Sequence, residues 1–445
     1  MKNSLLAILL LSGLTTCKNL EDVEPASRST FIKFFEYSND LSAASLELIP
    51  GGYAILGNSA FISTDTSYQQ TILIETDEHG NRLGGYHDFP GGTGKSFKPL
   101  INNGSVSAYV IVGDSIALNP QEEQAANVLI SSMRVLFVNA SSYTPILNRY
   151  ISDNSNAVIK ADYLGSAVTV TENNIIVLGT YKEGTPTQQA EPEKQMLFVL
   201  SNNAARDSSW FKTYDLLDNT FVNSKSIHSV NDKIFWATSV ANTQGGFTTS
   251  YLYFPVITAE GGIKNATPVG QGEDKLFIPA DSYPAAVSAL GFGLVGTYSR
   301  TPDGENGNIM FMRFDASGNP IAGSDRYFDG IQSLIPGSGN INRDESSIVD
   351  TGEAICATAD GGFVLAGTIT TNPQKGNGGK DILLIRITGQ GEMLWAKTFG
   401  GAGDETISTV RIAPDGGIVL CGTNNLGGFS SIFLMKTDKN GELNN

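Results

Sequence analysis

The chain has 445 residues, with 29 Lys and Arg against 45 Asp and Glu, a formal net charge of −16. That balance excludes a nucleic-acid binder, because phosphate recognition rests on Lys and Arg neutralising the backbone. Charged residues are only 17%, hydrophobic residues 40% and glycine 49 residues in all, a mixture that suits short strands in tight turns rather than helices. The chain opens on Lys2, an apolar run from Leu5 to Leu11, and then Leu14-Thr15-Thr16-Cys17. The run is shorter than the ~20 residues of a membrane-spanning helix and reads as the apolar region of a secretory signal.

The residues around Cys17 resemble a bacterial lipobox, which implies a signal peptide over 1–16 and acyl chains on Cys17. An ordinary signal peptide is the plainer alternative. Each buried CH₂ of an acyl chain contributes about 0.8 kcal/mol, and more than one chain makes attachment stable. The stretch Lys18-Asn19-Leu20-Glu21-Asp22-Val23-Glu24-Pro25 resembles the surface-export signal of lipoproteins from the Bacteroidetes. The resemblance implies an outer-membrane, lipid-anchored protein, displayed on the cell surface in preference to the periplasmic face. Residues 17–29 read as a polar tether and 30–445 as one folded domain.

The domain begins with a strand pattern over Thr30–Ser38 and then repeats. Second strands are expected to end near Gly57, Gly113, Gly179, Thr238, Gly296, Gly367 and Gly422, and the copy at Thr238 lacks its glycines. Third strands are expected at Thr71–Thr76, Met133–Asn139, Met196–Ser201, Tyr251–Thr258, Ile309–Phe314, Asp381–Ile387 and Ile432–Thr437. The sharpest copies are Ala354–Gly367 and Thr409–Gly422, each an alternating strand, an Asp-Gly-Gly turn and a second apolar strand.

One unit is thus a four-stranded antiparallel meander, and about seven such units predict an all-β fold, a seven-bladed β-propeller. The last unit stops after its third strand and turn. Thr30–Ser38, similar to Met393–Gly400, supplies the missing fourth strand and removes an exposed edge. A sandwich or a solenoid is the alternative. The pattern resembles the Asp-Gly-Gly propeller repeats of exported Bacteroidetes proteins, and Thr388–Trp395 has a fainter likeness to quinoprotein blades. The resemblance implies a fold and a habit of export, and no single activity.

On this reading the variable connections gather on one face: Asp114–Asn127, Lys182–Lys194, Ala241–Thr249, Arg300–Gly307, Ile331–Gly352 and Thr370–Lys380. Long loops on one face of a rigid scaffold are where binding concentrates. The candidate binding residues are Glu122, Glu123, Glu191, Glu193, Arg343, Asp344 and Glu345, facing an outer-membrane protein or a glycan. No cofactor and no metal is expected. The turns at Asp77–Asn81, Asp315–Asn319 and Asp438–Glu442 lack the full ligand series of a calcium loop and read as hairpin turns. His79, His87 and His228 have no zinc spacing, and His228 falls on an expected innermost strand. Trp210 and Trp395 fall on outer strands, away from any quinone floor. Cys356 and Cys421 occupy non-equivalent strands and read as buried thiols rather than a disulfide. No nucleophile elbow or phosphate loop occurs. The expected role is therefore a binding or scaffold module, the alternative an exported hydrolase or lyase acting on carbohydrate through paired carboxylates.

Overall fold

The computed structural model describes residues 30–443, apart from 38–39, 63–66, 119–128, 152–160, 184–193, 215–221, 245–246, 266, 271–275, 287–290, 300–306, 329–349 and 371–378. Among the described residues there is no helix. Strand β1 (Phe31–Phe35) precedes a series of ladders. The first three are β2 (Leu41–Ile49) to β3 (Gly52–Ile62), β4 (Ser67–Asp77) and β5 (His87–Pro90); β6 (Thr93–Asn102) to β7 (Ser105–Leu118), β8 (Leu129–Asn139) and β9 (Pro145–Ile151); and β10 (Ala161–Val170) to β11 (Asn174–Glu183), β12 (Lys194–Ser201) and β13 (Ser208–Tyr214).

A six-stranded sheet follows, of β14 (Val222–Val230), β15 (Lys233–Gln244), β16 (Phe247–Tyr253), β17 (Val256–Thr258), β18 (Ile263–Asn265) and β19 (Pro268–Val269). Next come β20 (Leu276–Pro284), β21 (Phe292–Ser299), β22 (Asn308–Phe314) and β23 (Arg326–Phe328). An eight-stranded sheet ends the chain. It holds β24 (Thr351–Ala357), β25 (Phe363–Thr370), β26 (Lys380–Ile387) and β27 (Met393–Phe399), and then β28 (Asp404–Ile412), β29 (Ile418–Leu426) and β30 (Phe429–Thr437) with β1. Its two halves meet in a single parallel bridge between Lys380 and Asp404.

The protein is an all-β propeller of four-stranded antiparallel blades. The first strand of each ladder packs on the first strand of the next, from β2 through β6, β10, β14, β20 and β24 to β28, and β28 packs back on β2. An apolar cluster fills each joint. At the last one, Leu41, Ile55 and Ile72 of the first ladder meet Cys421, Ile432 and Leu434 of the final one. Burial of such side chains contributes about 1.5–3 kcal/mol each, so the joints carry most of the stability.

The glycines read as strand ends lie inside their strands, and the reason is steric. Opposite each of them the first strand carries a β-bulge. Gly57 pairs with Ala43, Gly113 with Gly94, Gly179 with Gly165, Gly296 with Pro279, Gly367 with Gly352 and Gly422 with Ile407, and the register slips at the next residue. The bulge drives a first-strand carbonyl against the facing residue. A Cβ on Gly113 would collide with Thr93 O, on Gly367 with Thr351 O, and on Gly422 with Thr406 O. Only glycine fits there. The strand then continues to the next blade. The side chain after the glycine accepts a hydrogen bond from the N–H just before the neighbouring bulge: Asn58 Oδ1 from Gly94 at 2.7 Å, Asp114 Oδ1 from Gly165 at 2.8 Å, and Thr423 Oγ1 from Ala43 at 2.9 Å. The Thr423 bond joins the last ladder to the first.

The head of the chain pairs with its tail as expected. β1 runs antiparallel to β30, from Phe31 opposite Lys436 to Phe35 opposite Ile432. Phe31 lies over Gly80 in the turn after β4, and Lys33 Nζ reaches Asn81 Oδ1 at 3.0 Å. β1 therefore enters from the side of the short turns and runs toward the side of the long connections. In both Asp-Gly-Gly turns the first glycine has positive φ, 85° at Gly361 and 84° at Gly416. The turn aspartate also holds a cation of the third strand, Asp360 with Arg386 and Asp415 with Lys436 at 2.6 Å.

Two expectations are corrected. The third strand over Tyr251–Thr258 is broken into β16 and β17 at Pro255, which has no N–H for a ladder bond. The connection Ala241–Thr249 is mostly ladder, with Gln244 paired to Phe247, and β7 and β8 likewise extend until Leu118 meets Leu129.

Candidate functional site

The bulges that glycine permits also build the inner wall. An unpaired bulge residue is free to point away from the ladder. Ala44, Lys95, Ser166, Ser226, Ala280, Glu353 and Ser408, one from each first strand, all line a central cavity of about 720 Å³. That volume lies within the range of small-molecule sites.

A second tier follows further along the same strands, with Glu47 on β2, Lys98 on β6, His228 on β14, Asp281 and Tyr283 on β20, and Arg411 on β28. Glu47 Oε1 accepts from Lys98 Nζ at 2.6 Å and from an Arg411 guanidinium nitrogen at 2.9 Å, the latter from 364 positions away in sequence. Burial opposes ionisation of Glu47, but Lys98 and Arg411 outweigh it and hold the carboxyl below its usual range. Burial likewise opposes the charge on Arg411, and Glu47, Tyr283 and Asp281 keep it protonated. The Arg411 guanidinium lies 5.8 Å from the Tyr283 ring centroid.

Asp281 is the other carboxylate of this tier. Its oxygens accept from the backbone N–H of Ser282 at 2.9 Å and of Ile355 at 3.2 Å. Burial pushes its carboxyl up to about 6, against the pull of Arg411 and of those N–H groups. It sits deep in the molecule yet keeps an open side toward the cavity. His228 Nε2 bonds the Ser282 carbonyl, which can only accept, so Nε2 carries the hydrogen and Nδ1 is the acceptor. Burial pushes His228 down to about 4, so the ring is neutral at neutral pH. Glu353, from the bulge tier, accepts from Thr351 and Thr368 hydroxyls at 2.9 and 2.8 Å and from Ile407 N–H at 3.0 Å.

The residues singled out from sequence fare differently. Glu122, Glu123, Glu191, Glu193, Arg343, Asp344, Glu345 and Cys17 all lie outside the described residues. His228 lines the cavity, while His79 lies in the turn after β4 and His87 stacks on Tyr143 at the outer strand β5. Trp210 and Trp395 are on the outer strands β13 and β27. Cys356 and Cys421 are buried free thiols on β24 and β29, and burial pushes both up to about 12. In the calcium-like turns the carboxylates are spent on the turn itself: Asp77 Oδ1 accepts from the N–H of His79 and Asn81, and Asp315 Oδ1 from those of Ser317 and Asn319. Among the described residues no group of three or more His, Cys, Asp or Glu is placed to hold a metal.

Sequence reading missed Glu47, Lys98, Asp281 and Arg411. The signal that finds them is a charge at a fixed place on the first strand, three residues beyond the bulge for Glu47, Lys98 and Arg411 and directly after it for Asp281.

No family model matches the chain, and no curated protein matches it. Solved structures are similar in overall shape. One is the β-propeller domain of the Trilobed protease from Pyrococcus furiosus, 10% identical over 92% of this chain and 97% of that one, with a TM-score of 0.42. Another is the Pyrococcus horikoshii acylaminoacyl peptidase, 9% identical over 90% of this chain and 52% of that one, TM-score 0.45. A third is Trypanosoma rangeli sialidase in complex with the inhibitor DANA, 12% identical over 91% of this chain and 59% of that one, TM-score 0.40. The chain spans about half the length of the peptidase.

Proposed function

We propose that the protein is an exported seven-bladed propeller, anchored to the outer membrane by lipid on Cys17, that acts as a binding or scaffold module. Seven is the number of first strands that circle the cavity, counting each half of the eight-stranded sheet as one blade. The export reading rests on the lipobox and surface-signal resemblance, with 1–16 as signal peptide and 17–29 as tether, and it places the body on the cell surface. The variable loop face, with Glu122, Glu123, Glu191, Glu193, Arg343, Asp344 and Glu345, is assigned to an outer-membrane protein or glycan partner.

The observation that carries the binding reading is the second tier of the cavity. Its Glu47 is paired through one oxygen with cations from two other blades, which supports a rigid recognition surface rather than a nucleophile or base held ready. One observation favours the hydrolase alternative: Glu47 is held low while Asp281 is pushed up to about 6, and two carboxyls driven apart are the usual basis of acid and base roles. Turnover of polysaccharide lost in both Glu47→Gln and Asp281→Asn would favour that alternative. The test of the main reading is fractionation and co-purification. Cys17→Ala is expected to move the protein from membrane to soluble fractions, and a partner is expected to co-purify with the anchored form. A Cys17→Ala variant that still sediments with membranes would refute the anchor.

A further inference from the structure

The cavity's second tier is charged and yet balanced. Lys98 and Arg411 share Glu47, and Asp281 faces the same two cations. An anionic ligand would compete with Glu47 and Asp281 for those cations, and a cationic one would compete with Lys98 and Arg411 for the carboxylates. Either would break pairs whose partners are buried, which is costly. A hydroxyl group competes with neither. It donates to a carboxylate and accepts from an ammonium or guanidinium at once, and hydrogen bonds to ionised groups are the strong ones.

The rest of the wall has the matching chemistry. The bulge tier contributes the hydroxyls of Ser166 and Ser408 together with Lys95, paired to Asp114, and Glu353, bonded to Thr351 and Thr368, and β6 adds Ser96. The Tyr283 ring also lines the cavity, with His228 edge-on at 5.9 Å between centroids and the Arg411 guanidinium 5.8 Å from its centroid. A flat ring of this kind packs against the C–H face of a ligand whose edge is polar.

We propose that the central cavity binds an uncharged sugar residue, mono- or disaccharide in size, through the Glu47–Lys98–Arg411–Asp281 cluster and the Tyr283 ring. This rests on the binding-module reading and moves the ligand from the loop face to the axis of the ring.

The experiment is calorimetric titration of the mature full chain in detergent. The probes are glucose, galactose, mannose, N-acetylglucosamine, maltose and cellobiose, with glucuronate and glucosamine as charged counterparts. At least one neutral probe is expected to bind, Asp281→Asn to weaken it at least tenfold, and Ser408→Trp, which fills the cavity, to abolish it. Ala44→Phe narrows the cavity from another blade and replaces Ser408→Trp if that variant melts early. Binding of charged probes alone overturns the ligand class. Binding that survives the filled cavity overturns the site, and absence of any binding overturns the proposal. None of these results touches the anchor or partner capture, which Cys17→Ala and co-purification test by themselves.

Discussion

The sheet β14–β19 and the final ladder, β28–β30 with β1, follow one plan with different fidelity. In the final ladder Gly422 faces the bulge, one residue is skipped between Ile407 and Thr409, and the third strand is unbroken. In the other, Thr238 takes the glycine's place, two residues are skipped between Ser224 and Ile227, and the third and fourth strands are each split. The net slip is one residue in both, but here it is spread over two residues of β14 against Ala237 of β15. It has a local cost: Trp236 Nε1 and Thr238 Oγ1 are buried without a hydrogen-bonding side chain or backbone partner. The ring needs a bulge at this depth in every blade, because the bulge turns a residue to the axis. It does not need one particular way of making it.

The largest expected effect comes from removing the strand that completes the regular blade. Deleting Thr30–Ser38 strips β30 of its outer partner, leaving β29 on the other side, and loses the packing of Phe31 and Phe35, roughly 4 kcal/mol, plus an open edge. A sharp fall in the denaturant midpoint and concentration-dependent aggregation are expected, and an unchanged midpoint would mean that the blade closes without its fourth strand. Next is Gly422→Val, which sets a side chain against Thr406 O and the Phe433 ring and is expected to destabilise by about 3 kcal/mol. Thr238→Gly, its counterpart in the irregular sheet, is expected to change stability by less than about 1 kcal/mol. Equal effects at the two positions would erase the distinction drawn above. A comparably small effect belongs to Asp360→Ala, which removes an exposed partner of Arg386 and is expected to cost about 0.5–1 kcal/mol by denaturant titration.

What could be read from sequence was whatever repeats locally. The Asp-Gly-Gly turns, the alternating strands on either side and the apolar third strands survive in enough copies to give the blade. The pattern Thr30–Ser38 announced its place by resembling Met393–Gly400. Bulges were invisible for a physical reason. A one-residue slip shifts the inward and outward positions for the rest of the strand, so alternation breaks and the facing glycine looks like an end. The cavity residues were invisible for another. Glu47, Lys98, Asp281 and Arg411 come from separate blades, and nothing local marks a charge whose partner lies hundreds of residues away. Pro255 was legible and was passed over, although a proline inside an expected central strand argues against continuity.

β1 is both the clasp of the ring and the strand nearest the proposed lipid. Its first residue, Phe31, sits opposite Lys436 at the turn side, so the chain enters β1 from the side opposite the long connections. If Cys17 is anchored as proposed, a pull on the chain ahead of β1 would act lengthwise along β30, and all five of its register pairs would have to give way together rather than one by one. On the proposed anchoring, the long connections would lie on the face away from the pull, and the joint under tension would be the one loaded in shear.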